Sequence, residues 1–417
     1  EYEALPEKFK NLDFKPDFGD AVFLPRSGAT AVGARHFMLA YNINLNTRDV
    51  RTAKDIGLTI RSSGRAKRDV DGKIMRDSNG NMIKVPGKLK FCQAGGWYID
   101  EYSYSQVTMN LHRFEITGLH TAFDMVRKEA AKRGLRVTGS ELIGLMPLQA
   151  MLNAGMYYLE KQGASTACPE SDIIQTAIQS LGLNDTSLFD PEKRIIEYVL
   201  RNEEGQLKHM TVKRFVDLLS SNAPAPGGGS VAALNAALGA ALSAMVANLT
   251  FENKEYAAVK EEMEKCGRDS QALKVKALQL IDEDTEAFTR WMQALHMPKK
   301  SEEDKKKRDR AVQQAVLDAI EIPHATLKLC ADILKLAEYV MKKGNQNALS
   351  DAAVAVRQTQ AAAWGAYYNV LINLPSLEDE TTRTRISAEA KQHVSSIQNI
   401  CEKLAKTAEE TLAHATS

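Results

Sequence analysis

Apolar residues along this 417-residue chain change their spacing near Thr211. Before it, alternating and helical patterns are mixed; after it, only helical periodicity remains. Ala34–Leu45 alternates with aromatic and β-branched residues and predicts a strand. Asn46-Thr47 is placed to cap a helix whose apolar stripe is Val50, Ala53, Ile56 and Ile60. Residues 62–88 are polar and punctuated by glycine, the mark of an exposed loop or hairpin. Leu89–Ile99 and Ser105–Phe114 read as two further strands. A helix over 118–133 carries Leu119, Ala122, Phe123, Val126 and Ala130 on one side; Gly134 ends it, and Leu135–Thr138 forms a short strand. The order β-α-β-β-α-β is that of a ferredoxin-like sandwich. Pro147–Glu160 adds a helix. A connector follows, with a short helix at Ser171–Leu181 and a Pro-initiated turn after Phe189.

Beyond Thr211 the periodicity predicts helices at 211–220, 230–250, 254–296, 302–343, 346–373 and 378–412. Their connections are short, as at Met297-Pro298-Lys299-Lys300 and Gly344-Asn345, which implies an up-and-down bundle. Ser301-Glu-Glu-Asp resembles a capping box. The expected architecture is thus an α+β ferredoxin-like sandwich domain over 1–165, a linker over 166–210, and an all-α up-and-down helical bundle over 211–417. In helix 230–250, Ala236, Gly239, Ala240, Ser243 and Ala247 form a small-residue face. Such a face lets another helix approach closely, within the subunit or across a dimer.

Charge and cysteine usage narrow the function classes. The 54 basic and 53 acidic residues leave a net charge of +1 and are spread along the chain. That argues against general nucleic-acid or membrane-surface binding. The five cysteines are odd in number and contain no CxxC pair, so neither a disulfide framework nor a zinc ribbon is expected, and a reducing cytoplasm fits. The run 231–249 comes nearest to a membrane span, but it is mostly alanine and carries Asn235 and Asn248. No signal peptide is visible, and a start at Glu1-Tyr2 suggests further chain upstream.

Three stretches could carry chemistry. In the first, Pro224 and Pro226 stop what precedes them, Gly227, Gly228 and Gly229 form a nearly bare loop, and Ser230 stands at the expected N-cap of an Ala-rich helix. A glycine loop feeding a helix exposes backbone N–H groups to a ligand; it serves equally as a linker into a buried helix. No Gly-Lys-Ser/Thr or GxGxxG follows, which disfavours a nucleotide. In the second, Asp282-Glu283-Asp284-Thr285-Glu286 puts four carboxylates in five positions of an apolar-striped helix. Asp282 and Asp284 point about 160° apart, so one is expected inward and another toward solvent. An inward carboxyl is costly unless paired, or its pKa rises until it can act as an acid. In the third, Asn369 and Asn373 lie one turn apart on a helix of small and aromatic residues; amides so spaced hydrogen-bond a heterocycle or fix helix register. Residues 61–90 hold nine Lys/Arg against three Asp, a solvated loop or a landing strip for a polyanionic tail. His324, after Pro323, reads as packing. No spacing suggests a metal or a covalent nucleophile.

Pro226-Gly-Gly-Gly-Ser-Val-Ala-Ala-Leu234, Asp282-Glu-Asp-Thr-Glu-Ala-Phe288 and Gly365-Ala-Tyr-Tyr-Asn-Val-Leu-Ile-Asn-Leu374 together resemble the cyclodeaminase domain of the formimidoyltransferase-cyclodeaminase family, from about Thr211 onward. Gly28-Ala-Thr-Ala-Val-Gly-Ala-Arg-His-Phe37 and Gly139-Ser-Glu-Leu-Ile-Gly-Leu-Met-Pro-Leu148 resemble the second half of its transferase domain. The resemblance implies that Asp284 is the catalytic aspartate of deamination. It implies folate contacts from Gly19, Asp20, Ala21, Val22, Phe23, Leu24, Pro25, Arg26, Ser27 and Gly28, while Gly227, Gly228, Gly229, Ser230, Asn369 and Asn373 suit a folate in the helical half. The transferase's catalytic histidine has no match here, so at best half a transferase site is expected and transfer to glutamate is not. The implied reaction converts 5-formimidoyltetrahydrofolate to 5,10-methenyltetrahydrofolate and ammonia, with a polyglutamylated tetrahydrofolate as substrate and no metal or nucleotide. Self-association through the helical half is expected; nucleic acid and membrane are not partners. The alternatives are a methenyltetrahydrofolate cyclohydrolase and a non-catalytic folate-binding oligomerisation module.

Overall fold

The structure, a computed structural model, describes residues 4–30, 32–201 and 206–415. Its first half is a four-stranded antiparallel sheet of β1 (Leu39–Leu45), β2 (Cys92–Ile99), β3 (Tyr104–Leu111) and β4 (Val137–Ile143), in the order β2-β3-β1-β4. Helices α1 (Val50–Ile60) and α2 (Leu119–Ala131) follow β1 and β3. This is the ferredoxin-like sandwich. Leu39, Tyr41, Ile43 and Leu45 alternate along β1 and meet Val107, Met109 and Leu111 of β3 in one core with Ile56, Ile60, Leu119 and Val126 of the helices. Helix α1 lies directly on β2: a Cβ on Gly57 would come within 2.6 Å of the Gly95 carbonyl oxygen.

Several boundaries differ from the sequence expectation. The first strand begins at Leu39, not Ala34. The cap of α1 is Asp49, whose carboxylate accepts from Arg51 N–H at 3.1 Å, in place of Asn46-Thr47. The last strand runs seven residues from Val137, because pairing with β1 extends it past Thr138. The polar stretch 62–88 contains a two-stranded ribbon, Arg65–Ala66 with Lys84–Val85. The opposite sheet face holds a polar line buried at its centre: Trp97 Nε1 donates to Gln106 at 2.8 Å, Gln106 to Asn44 at 2.8 Å, and Asn44 to Asp185 at 2.8 Å.

Helices α3 (Leu148–Gln162) and α4 (Glu170–Leu181) follow. Ile174, Ala177, Ile178 and Leu181 of α4 join the sheet's core, as do Phe189 and Ile195 from within the expected linker stretch.

The second half contains α5 (Val212–Leu219), α6 (Gly228–Glu252), α7 (Lys260–Leu295), α8 (Glu302–Lys343), α9 (Leu349–Asn373) and α10 (Glu380–Ala415). Ser301 and Asp304 form the capping box of α8. Tyr256 interrupts the expected 254–296 helix, leaving a 3₁₀ turn ahead of α7. On composition α6 could cross a bilayer, but it is packed by α7, α8 and α9, with 61% of its most apolar window buried. Its small-residue face is occupied within the subunit. A Cβ on Gly239 would sit 2.5 Å from Thr359 Oγ1 of α9, and one on Gly365 would sit 3.1 Å from Ala232 Cβ.

The two halves are joined at two places. Glu264 of α7 accepts from Ser165 Oγ at 2.7 Å and Thr166 N–H at 2.8 Å, and Asn248 of α6 donates to the Ala167 carbonyl at 2.8 Å. The turn Leu207–Met210 and Phe215 of α5 pack on Ala233 and Ile281, at the back of the helix ends described next.

Candidate functional site

The chain enters α6 through Pro224, a cis Ala225–Pro226 bond and Gly227, which is extended and serves as the N-cap. Helix begins at Gly228. Ser230 is therefore the third helical residue and not the N-cap; it is fully buried. Its Oγ donates to Asp284 Oδ2 of α7 at 2.9 Å and lies 3.3 Å from the Ile281 carbonyl. Gly229 explains the bareness of the loop. A Cβ there would fall on Asp284 Oδ1, with Cγ 2.6 Å away. The carboxyl of Asp284 thus abuts the first turn of α6, where N–H groups lack intrahelical partners and the helix dipole favours negative charge.

A cavity of ≈ 190 Å³ opens beside this contact. Its walls are the 224–229 loop, Asp284, Phe288 and Trp291 of α7, Val316 and Ala319 of α8, and Asn369 and Asn373 of α9. Residues 284, 288 and 291 recur at the i, i+4, i+7 spacing of one helix face. Among the described lining residues Asp284 alone is ionisable. Burial pushes its pKa up from the ordinary carboxylate value, and the hydroxyl and N–H of Ser230 oppose that rise. A carboxyl so placed can take a proton and return it.

The amides of α9 complete the cavity with acceptors. Asn369 Nδ2 donates to the Gly365 carbonyl at 2.8 Å, and Asn373 Nδ2 to those of Ala319 at 3.1 Å and Asn369 at 3.0 Å. With the NH₂ groups engaged by the backbone, each side-chain oxygen is left for a donor in the cavity. Of the two alternatives, the bond from Asn373 to the Ala319 carbonyl of α8 corresponds to fixing helix register.

Asp282 departs from the expectation that one aspartate faces solvent. It is 8% exposed, deeper than its neighbour, and Oδ1 accepts from Leu207 N–H at 2.6 Å with Lys208 Nζ 3.7 Å from Oδ2. Because α7 is packed on two sides, both aspartates turn inward, toward different partners. Glu283 and Glu286 take the solvent face. Asp282 holds the inter-domain turn and does not line the cavity.

The stretch Gly19–Gly28 lies elsewhere. It is an exposed loop, with Val22 62% and Leu24 56% accessible; Gly28 N–H donates to Leu24, and Gly19 and Gly28 take positive φ. None of its residues lines the cavity. His324 is buried against Glu389 at 3.6 Å, with burial and Lys328 lowering its pKa to about 4; it also stands apart from the cavity. Trp291, Val316 and Ala319 were not singled out from sequence. The helical spacing from Asp284 could have found Trp291, whereas the α8 residues are brought in only by packing.

Known proteins bear on this geometry. Residues 211–392 match the family model described as formiminotransferase-cyclodeaminase, and 40–201 match that of the formiminotransferase domain. The formimidoyltransferase-cyclodeaminase of Sus scrofa is 38% identical over 400 residues, covering 95% of this chain and 70% of the relative. A methenyltetrahydrofolate cyclohydrolase of Methylorubrum extorquens is 40% identical over 169 residues, covering 40% of this chain and 81% of its own. A solved formiminotetrahydrofolate cyclodeaminase from Thermotoga maritima is 30% identical, with a TM-score of 0.45, covering 49% of this chain and 99% of that one. With two domain models in succession and this identity over nearly its whole length, the chain belongs to the formimidoyltransferase-cyclodeaminase family.

Proposed function

We propose that the helical half is a formimidoyltetrahydrofolate cyclodeaminase with Asp284 as its acid and base. The observation that carries this reading is the single ionisable side chain among the described residues that line the cavity, held at a helix N-terminus beside flat aromatic walls. N10 of 5-formimidoyltetrahydrofolate attacks the amidine carbon of the substrate's amidinium form, whose nitrogen already carries two protons. The N10 proton passes to the Asp284 carboxylate, and a tetrahedral adduct bearing an amino group forms. The carboxyl returns that proton to the amino nitrogen, the C–N bond breaks, and ammonia leaves 5,10-methenyltetrahydrofolate. One carboxyl balances both proton transfers. Phe288 and Trp291 supply apolar surface for the pterin, and Asn369 and Asn373 supply acceptors for its N–H groups.

At ≈ 190 Å³ the cavity fits the reacting end of a folate, with the tail outside. We assign the basic residues of 61–90 as a contact for a polyglutamate tail, and Gly19–Gly28 as a folate segment of the transferase-like half. We place the end of the sheet domain beyond the expected 165, since residues as far as Ile195 share its core, and keep the start of the helical domain at 211. Self-association through the helical half is supported by exposed Leu238, Met245 and Leu249 along α6. The cysteines are unpaired, four of them buried, in keeping with the cytoplasm.

The identity to a methenyltetrahydrofolate cyclohydrolase supports a second reading, in which the same carboxyl serves a hydrolytic ring opening. Turnover of formimidoyl- and methenyltetrahydrofolate by the same preparation separates the two. Ammonia release exceeding hydrolysis is expected; hydrolysis alone would transfer the assignment to the cyclohydrolase, and neither would leave a folate-binding module.

A further inference from the structure

Ser230 is fully buried and lies past the N-cap of α6, so its hydroxyl does not cap the helix. A buried hydroxyl on the third residue of α6 has only carbonyl or side-chain partners to satisfy it, and here its nearest is Asp284 Oδ2 at 2.9 Å. Thr285 Oγ1 lies farther, at 3.4 Å. The N–H of Ser230 also acts on this carboxyl, and Oδ1 stands against the bare Cα of Gly229.

We propose that Ser230 is a positioning residue: by binding Oδ2 it fixes the Asp284 carboxyl in one orientation for proton transfer. This rests on the reading of Asp284 as acid and base. Gly229 belongs to the same arrangement, since any side chain there would occupy the place of Oδ1. The groups facing the carboxyl leave Ser230 as its main polar control. From α6 come Gly229 and Ser230, from α7 Ile281, Thr285 and Phe288, and across the cavity Val316, Ala319, Asn369 and Asn373. None of these is charged. Burial favours the neutral acid, and Ser230 is the group that opposes it. Removing the hydroxyl should both free the carboxyl to rotate and move its ionisation to higher pH.

The test compares the whole chain with Ser230→Ala in two measurements across the acid and neutral range: ammonia release from formimidoyltetrahydrofolate, and NMR titration of the ¹³C-labelled Asp284 carboxyl, assigned by its loss in Asp284→Asn. The expected result is a fall in kcat of roughly tenfold, the scale of one hydrogen bond to a charged group. KM should be nearly unchanged. The acid limb of the rate profile and the carboxyl titration should both move to higher pH, and Ser230→Thr, which keeps the hydroxyl, should restore both. An unchanged carboxyl titration, or a loss confined to KM, overturns the role of Ser230. A carboxyl titration that moves while the acid limb stays upholds Ser230 and overturns Asp284 as the proton acceptor.

Discussion

Asp282 and Asp284 lie two residues apart on one helix, and their surroundings predict opposite consequences of losing each. Asp284→Asn keeps shape and the Ser230 contact but cannot carry a proton. Turnover should fall by about 10²–10⁴-fold with binding of folate nearly intact. Stability should not fall with it. The folded-state pKa of Asp284 is raised, so the folded chain holds that proton more tightly than the unfolded chain does. Above both values the buried carboxylate is a cost, and the uncharged amide removes it. Asp282→Ala does the reverse. It leaves the buried Leu207 N–H without its 2.6 Å partner, a loss of about 2 kcal/mol for a bond to a charged group. For a domain the size of the helical half that lowers the melting midpoint by roughly 4–8 °C. Its turnover, measured below the transition, should change far less than that of Asp284→Asn. The assay pairs ammonia release with thermal unfolding on both variants. A reversal of the two patterns, or loss of folate binding in Asp284→Asn, would refute the division of roles.

Two further outcomes follow from packing and burial. Gly239→Val should destabilise the helical half by about 1–3 kcal/mol, because its side chain would enter the space of Thr359 Oγ1; chemical denaturation of wild type and variant measures it, and an unchanged midpoint would mean that α6 and α9 are not in close contact. His324 stays neutral in the fold down to about 4, while the unfolded chain binds a proton near 6.5. Stability should therefore decline as pH falls from about 6.5 toward about 4, and His324→Gln should flatten that part of the unfolding profile.

Much of the architecture was legible in the pattern of apolar residues. The bounds of α8 at 302–343 follow from a capping box at one end and Gly344 at the other, both local devices. The α/β order of the first half was equally readable, since strand and helix periods differ. Boundaries set by pairing were not: β4 is extended by its hydrogen bonds to β1, which no local pattern encodes. The hydrogen-bonded line from Trp97 through Gln106 and Asn44 to Asp185 was invisible for the same reason. Its members are polar and far apart in sequence, and only the sheet brings them together.

The site divides along the same line. By itself the sequence determined which residues could do the chemistry: a glycine loop ahead of an Ala-rich helix, an acidic cluster in an apolar-striped helix, and paired amides on a third. Composition and helical spacing are properties of neighbours along the chain. The tertiary structure decided what each residue touches. Packing of α6 on α7 set Asp284 against Gly229 and Ser230, turned Asp282 toward the inter-domain turn, and used the small-residue face of α6 to seat α9. It also left Gly19–Gly28 on the surface, away from the cavity. Those outcomes depend on which helix faces meet. Contacts between residues more than fifty positions apart are settled by the shape of the whole core, which no segment carries alone.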